Sequence, residues 1–92
     1  MTDGPAAAHT YLVEHYWPGD GAERFRATTE LVRTTAEAMA ESGASIRFLR
    51  AIIVPGDEAA FCLFDAASMA VVEQLYHRAG VRFDRIVDAL ED

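Results

Sequence analysis

The chain reads as an α+β domain: one four-stranded antiparallel sheet with two helices packed on one of its faces. Three observations predict it. Two stretches place apolar residues at helical spacing, four short stretches are rich in β-branched and aromatic residues, and the six alternate as strand, helix, strand, strand, helix, strand. Ninety-two residues leave room for a single domain.

Residues 1–8 are small and polar, with Gly4-Pro5 and three alanines, and read as a flexible leader to a domain spanning 9–92. The first strand is Thr10 to Tyr16, ended by the turn residues Trp17-Pro18-Gly19. Asp20 followed by Glu23 has the form of an N-cap with its capping-box partner. Phe25, Thr29, Val32, Ala36 and Met39 then fall on one stripe, and Gly43 supplies a C-terminal stop, predicting a helix over about 21–42. Ser45 to Val54 is the second strand; Pro55-Gly56-Asp57-Glu58 turns it over, and Ala60 to Asp65 returns as the third. Ser68 caps a helix Met69–Ala79 with Met69, Val72, Leu75, Tyr76 and Ala79 on its apolar stripe, closed by Gly80. Phe83 to Leu90 completes the sheet. The order β-α-β-β-α-β is that of the ferredoxin-like split β-α-β fold, here expected with the first and third strands as parallel neighbours at the centre.

Eight Lys+Arg against fifteen Asp+Glu give a net charge of −7. Such a surface repels phosphate, so neither nucleic acid nor an anionic membrane is an expected partner. No apolar run approaches the roughly 20 residues that cross a bilayer, and no secretory signal opens the sequence. The single cysteine, Cys62, excludes an internal disulfide framework and fits a cytoplasmic location. With 51% hydrophobic residues in so short a chain, a lone core is marginal and self-association is expected.

Side chains alternate along a strand, and this assigns the two faces of the sheet. If Tyr11 and Val13 meet the helices, then Leu12, Glu14 and Tyr16 lie on the open face. Phe61, Leu63 and Asp65 share one parity of the third strand, and Cys62 and Phe64 share the other. A face carrying Leu12, Tyr16, Trp17, Phe61 and Leu63 is too apolar to stay wet, which predicts a homodimer or a pocket for a small hydrophobic ligand. Parallel central strands would bring Glu14 and Asp65 together there, either as a perturbed carboxylate pair or neutralised by Arg47 or Arg50. His9, His15 and His77 form no local metal motif. His15 reads as a rim residue or, at a frayed strand end, a metal ligand beside Glu14; His77 as a solvated partner of Glu73; Cys62 as an inert buried thiol.

Several short motifs, in order, resemble one family: Tyr-Leu-Val-Glu at 11–14 with Pro18-Gly19, Arg-Phe-Leu-Arg at 47–50 leading to Val54-Pro55, Phe-Cys-Leu-Phe-Asp-Ala at 61–66, Arg-Ala-Gly at 78–80, and Phe-Asp-Arg-Ile at 83–86. It is a bacterial family of small proteins with a domain of unknown function, some members being described as nickel-responsive or nickel-binding. The resemblance covers residues 9–90. It implies a ferredoxin-like dimer and a transition-metal or small-molecule site, with Glu14, Cys62 and Asp65 matching positions of the family pattern. The chain departs from that pattern at Ala51, Asp65 and Arg82, where serine, glutamate and proline are usual.

Three functions follow as expectations. In the first, a dimer binds a small ligand or a divalent metal such as nickel through Glu14, His15 and Asp65, since imidazole with carboxylate suits nickel, zinc or copper. In the second, the open face houses a cofactor-independent isomerase, cyclase or monooxygenase with Glu14, Asp65 and Tyr16 as its acid–base groups. In the third, that face is a non-catalytic dimerisation module.

Overall fold

The computed structural model describes residues 9–91. The leader expected at 1–8 lies outside them. Seven elements follow one another: β1 (His9–Tyr16), α1 (Ala22–Glu41), β2 (Ile46–Val54), a short 3₁₀ turn (Pro55–Asp57), β3 (Ala59–Ala66), α2 (Met69–Ala79) and β4 (Arg85–Ala89). The strands form one sheet in the order β2-β3-β1-β4, every neighbouring pair antiparallel. The ferredoxin-like architecture is therefore present, but its central pair does not run as expected. A right-handed β-α-β crossover makes β1 parallel to β2 while leaving a gap between them. The hairpin partner β3 fills that gap and, being antiparallel to β2, is antiparallel to β1 as well.

The predicted stripe of α1, Phe25, Thr29, Val32, Ala36 and Met39, is the set that the helix buries. Its start differs. Gly21 occupies the N-cap in extended conformation without a side-chain cap, and the Asp20 carboxylate instead lies 3.7 Å from Arg24. The C-terminus closes as a Schellman motif: Gly43, at φ 103°, donates its N–H to the Ala40 carbonyl, and Ala44 donates to Met39. In α2 the buried residues are Val72, Leu75 and Tyr76, whereas Met69 is exposed at the first turn and Val71 packs half-buried in its place.

The core lies between the helices and one face of the sheet. Tyr11, Val13, Cys62 and Phe64 face Val32, Met39, Val72 and Leu75, as strand alternation requires. A smaller cluster of Trp17, Phe25 and Ala60 sits at the C-terminal end of β1. Turns tie that end down. Glu58, in left-handed conformation (φ 52°), accepts the Trp17 N–H with its carbonyl and the Gly19 N–H with its carboxylate. Phe83 and Asp84, expected to begin the last strand, instead belong to the connection that precedes β4. The Arg82 carbonyl accepts the Trp17 indole N–H, and the Asp84 N–H donates to the Glu14 carbonyl.

A β-bulge interrupts β2 between Phe48 and Arg50. Three residues apart on a regular strand, Arg47 and Arg50 would point to opposite faces. The extra residue, Leu49, resets the alternation, so that Phe48 faces the core while both arginines stand on the open face.

Candidate functional site

The register arranges the open face as cross-strand rows. Arg50, Leu63, Leu12 and Val87 form one; Ile52, Phe61, Glu14 and Arg85 the next; Arg47, Asp65, Thr10 and Ala89 a third. The centre is apolar. Leu63 is covered by its neighbours, Leu12 and Phe61 are half-buried, and Ile52 and Tyr16 remain 48% and 53% exposed. Three ion pairs surround it. Arg85 donates to Glu14 at 2.8 Å, Arg47 to Asp65 at 3.2 Å, and Arg50 lies 2.6 Å from Glu91. The Thr10 hydroxyl adds a 2.8 Å hydrogen bond to the other Asp65 oxygen.

Glu14 and Asp65 are thus on the expected face but not together. In the antiparallel register Asp65 stands opposite Thr10, and Glu14 opposite Phe61. Four residues of β1 separate their rows, about 13 Å at the usual strand rise. One expected arginine, Arg47, does neutralise Asp65, but Glu14 takes Arg85 of β4, and Arg50 turns to Glu91.

Two aromatic residues also move from their expected places. Trp17, assigned to the open face, is buried against Phe25 with ring centroids 5.0 Å apart and edge-on geometry. Alternation ceases to apply where β1 ends, and the turn carries the indole round to the helix side. His15, expected at a rim, is 2% exposed. It shares the parity of Tyr11 and Val13, and the Trp17 turn closes over it.

The His15 ring is fully hydrogen-bonded. Nδ1 lies 2.9 Å from the Ala60 carbonyl oxygen and Nε2 lies 2.7 Å from the Tyr76 hydroxyl. A carbonyl only accepts, so Nδ1 carries the proton. Nε2 of the neutral ring then accepts from Tyr76. Burial keeps the His15 pKa below its ordinary 6.5, opposed by the Ala60 hydrogen bond and by the charge of Asp84. The Cys62 thiol neighbours the same hydroxyl. Burial pushes it up to about 11, with Tyr76 acting the other way, and raises the Tyr76 phenol as well, with Cys62 adding to the effect. Cys62, Tyr76 and His15 form a neutral buried cluster in which the Tyr76 hydroxyl bonds His15, and the thiol is a poor nucleophile. Sequence reasoning placed these residues in separate roles. The signal that joins them was the shared parity of His15 with Val13 and of Cys62 with Phe64, both facing the Tyr76 stripe.

The expected ligand trio does not fit a single metal ion. Glu14 and Asp65 stand about 13 Å apart by strand rise, each on an arginine, and His15 faces the opposite side with both nitrogens engaged. Among the described residues no three His, Cys, Asp or Glu side chains come together as a metal-binding group. His9 is exposed at the start of β1. His77 is exposed on α2, where it shares a shallow depression with Glu73 and Gln74. Two further concavities lie between α1 and β2, around Arg33 and Phe48, and where β1 begins beside the end of β4. None occupies the centre of the open face.

Comparison with known proteins gives the fold and the motifs a family. Residues 11–88 match the model of the SCO4226-like family, described as nickel responsive protein SCO4226-like. The chain belongs to this family. Its fold is similar to the crystal structure of SCO4226 from Streptomyces coelicolor A3(2), with a TM-score of 0.69 at 18% identity, over 90% of this chain and 98% of that one. No curated protein matches the chain at a significant level. Family membership agrees with the motifs of β1, β2 and β3, which build the two sheet faces described above. No helix among the described residues is long and apolar enough to cross a membrane.

Proposed function

We propose that the protein is a homodimeric binding protein acting in a nickel response, with the open sheet face as the contact between its two copies. The family description supports the nickel part. The observation that carries the dimer is the composition of the open face, an apolar centre within a ring of three arginines and three carboxylates. On a chain of net charge −7 that patch is locally neutral, so two copies can meet there without the repulsion that the rest of the surface imposes. A two-fold axis near the Leu12–Leu63 row would set the apolar centre of one copy against that of the other. Nickel is not assigned to Glu14, His15 and Asp65, because the arginines beside both acids disfavour a cation and the imidazole is turned inward.

Sedimentation velocity and nickel titration calorimetry test the two parts. The wild type is expected as a dimer, and Leu12→Asp as a folded monomer with an unchanged circular dichroism spectrum. A monomeric wild type would remove the dimer. Nickel binding is expected with the same affinity in the wild type and in Glu14→Gln. A lost affinity in the variant would return Glu14 to the metal site, and no binding by the wild type would remove a direct metal role.

A further inference from the structure

The covered side of the sheet contains two apolar clusters of unequal size. The larger joins β1, β3 and both helices through Val13, Val32, Phe64, Val72 and Leu75. The smaller consists of Trp17, Phe25 and Ala60, with Ile53 and Val81 half-buried against it. Much of the smaller cluster is fastened by turns: residues 17–20, the β2–β3 turn and the connection before β4. A small cluster held this way opens at lower free energy than a core built from paired strands and helices. His15 is the polar joint between the two, with its ring centroid 4.7 Å from that of Trp17 and 5.3 Å from that of Tyr76.

We propose that His15 is an acid-sensing latch: as the neutral ring it fastens the Trp17 end of β1 to β3 and α2, and protonation releases that end while the main core stays folded. Only the neutral ring satisfies both of its partners as they stand, donating from Nδ1 to the Ala60 carbonyl and accepting at Nε2 from Tyr76. A proton on Nε2 makes both nitrogens donors. Tyr76 must then accept, and its own proton loses the Nε2 acceptor it has in the neutral state. The titratable groups around the ring are Tyr76 of α2, which bonds it, Cys62 of β3, which neighbours Tyr76, and, at longer range, Asp84 of the connection before β4; α1 contributes Phe25, behind Trp17. Neither nitrogen bonds a carboxylate. The Asp84 carboxylate is already bound by the Tyr16 backbone N–H at 2.6 Å. The imidazolium would be a buried cation without a paired anion, and it is relieved by letting water reach the ring from the Trp17 side. The direction of the His15 shift agrees: the unfolded or opened ring, near 6.5, takes up a proton before the closed one does. The latch is shut above that pH and loosens as the pH falls below it.

Trp17 is the only tryptophan and reports on the latch directly. Between pH 8 and pH 4 its emission is expected to shift to the red and its quenching by acrylamide to rise several-fold, with a midpoint below 6.5 and with the far-ultraviolet circular dichroism retained. His15→Gln, which offers an N–H and a carbonyl but cannot be protonated, is expected to lack the transition. If that variant does not fold, the wild type decides alone: nuclear magnetic resonance should show the His15 ring and the Trp17 indole exchange rate changing at one midpoint. A transition that persists in His15→Gln, Trp17 signals that ignore the His15 titration, or loss of circular dichroism at that same midpoint would overturn the proposal.

Discussion

The two faces of the sheet solve the same problem by opposite means. On the covered face the helices exclude water, so buried His15 must be neutral and each of its ring nitrogens needs a partner inside the protein. On the open face water remains, and charge is tolerated in quantity: three arginine–carboxylate pairs whose arginines are each more than half exposed. The difference teaches where sequence changes matter. A polar group on the covered face is costly to leave unpartnered, whereas an exposed ion pair gives little to stability and more to the choice of what docks there.

The largest effect is expected from β3, where consecutive residues face opposite ways. Phe64→Ala removes a fully buried ring from the main core and should cost about 3–5 kcal/mol in urea unfolding. Phe61→Ala, on the open face, should cost less than half as much in dilute solution and act mainly by weakening self-association. Equal losses at the two positions in dilute monomer would break the comparison. Next is Tyr76→Phe. It preserves the ring but takes the donor from His15 Nε2, and about 1–3 kcal/mol should be lost, the cost of an unsatisfied buried acceptor. A neutral outcome would mean that water or Cys62 replaces the hydroxyl. The smallest effect belongs to the exposed pairs. Arg47→Gln should alter unfolding by no more than about 0.5 kcal/mol at physiological salt, while changing the salt dependence of dimerisation if the face is the contact.

Much of this was legible in the residues. The stripe from Phe25 to Met39 fixed α1 and its buried side, because helical periodicity over about four turns admits few alternatives. Parity correctly divided Tyr11, Val13, Cys62 and Phe64 from Leu12, Glu14, Phe61 and Leu63, because one strand has only two sides. What failed was pairing between distant segments. Antiparallel β1 and β3 send Asp65 to the far end from Glu14, and a single bulge at Leu49 brings Arg47 and Arg50 to one face. Neither is written in local pattern, since register depends on which strands meet and in what direction.

The candidate site divides along the same line. The sequence by itself determined the elements, the amphipathic faces and the charge, because these follow from composition and from periods of two and 3.6 residues. Only the tertiary structure decided that Glu14 belongs to Arg85, that Trp17 turns inward, and that His15 and Tyr76, 61 positions apart in the chain, bond each other in the core beside Cys62. Such groups meet because closing the core leaves each buried donor and acceptor no partner but another.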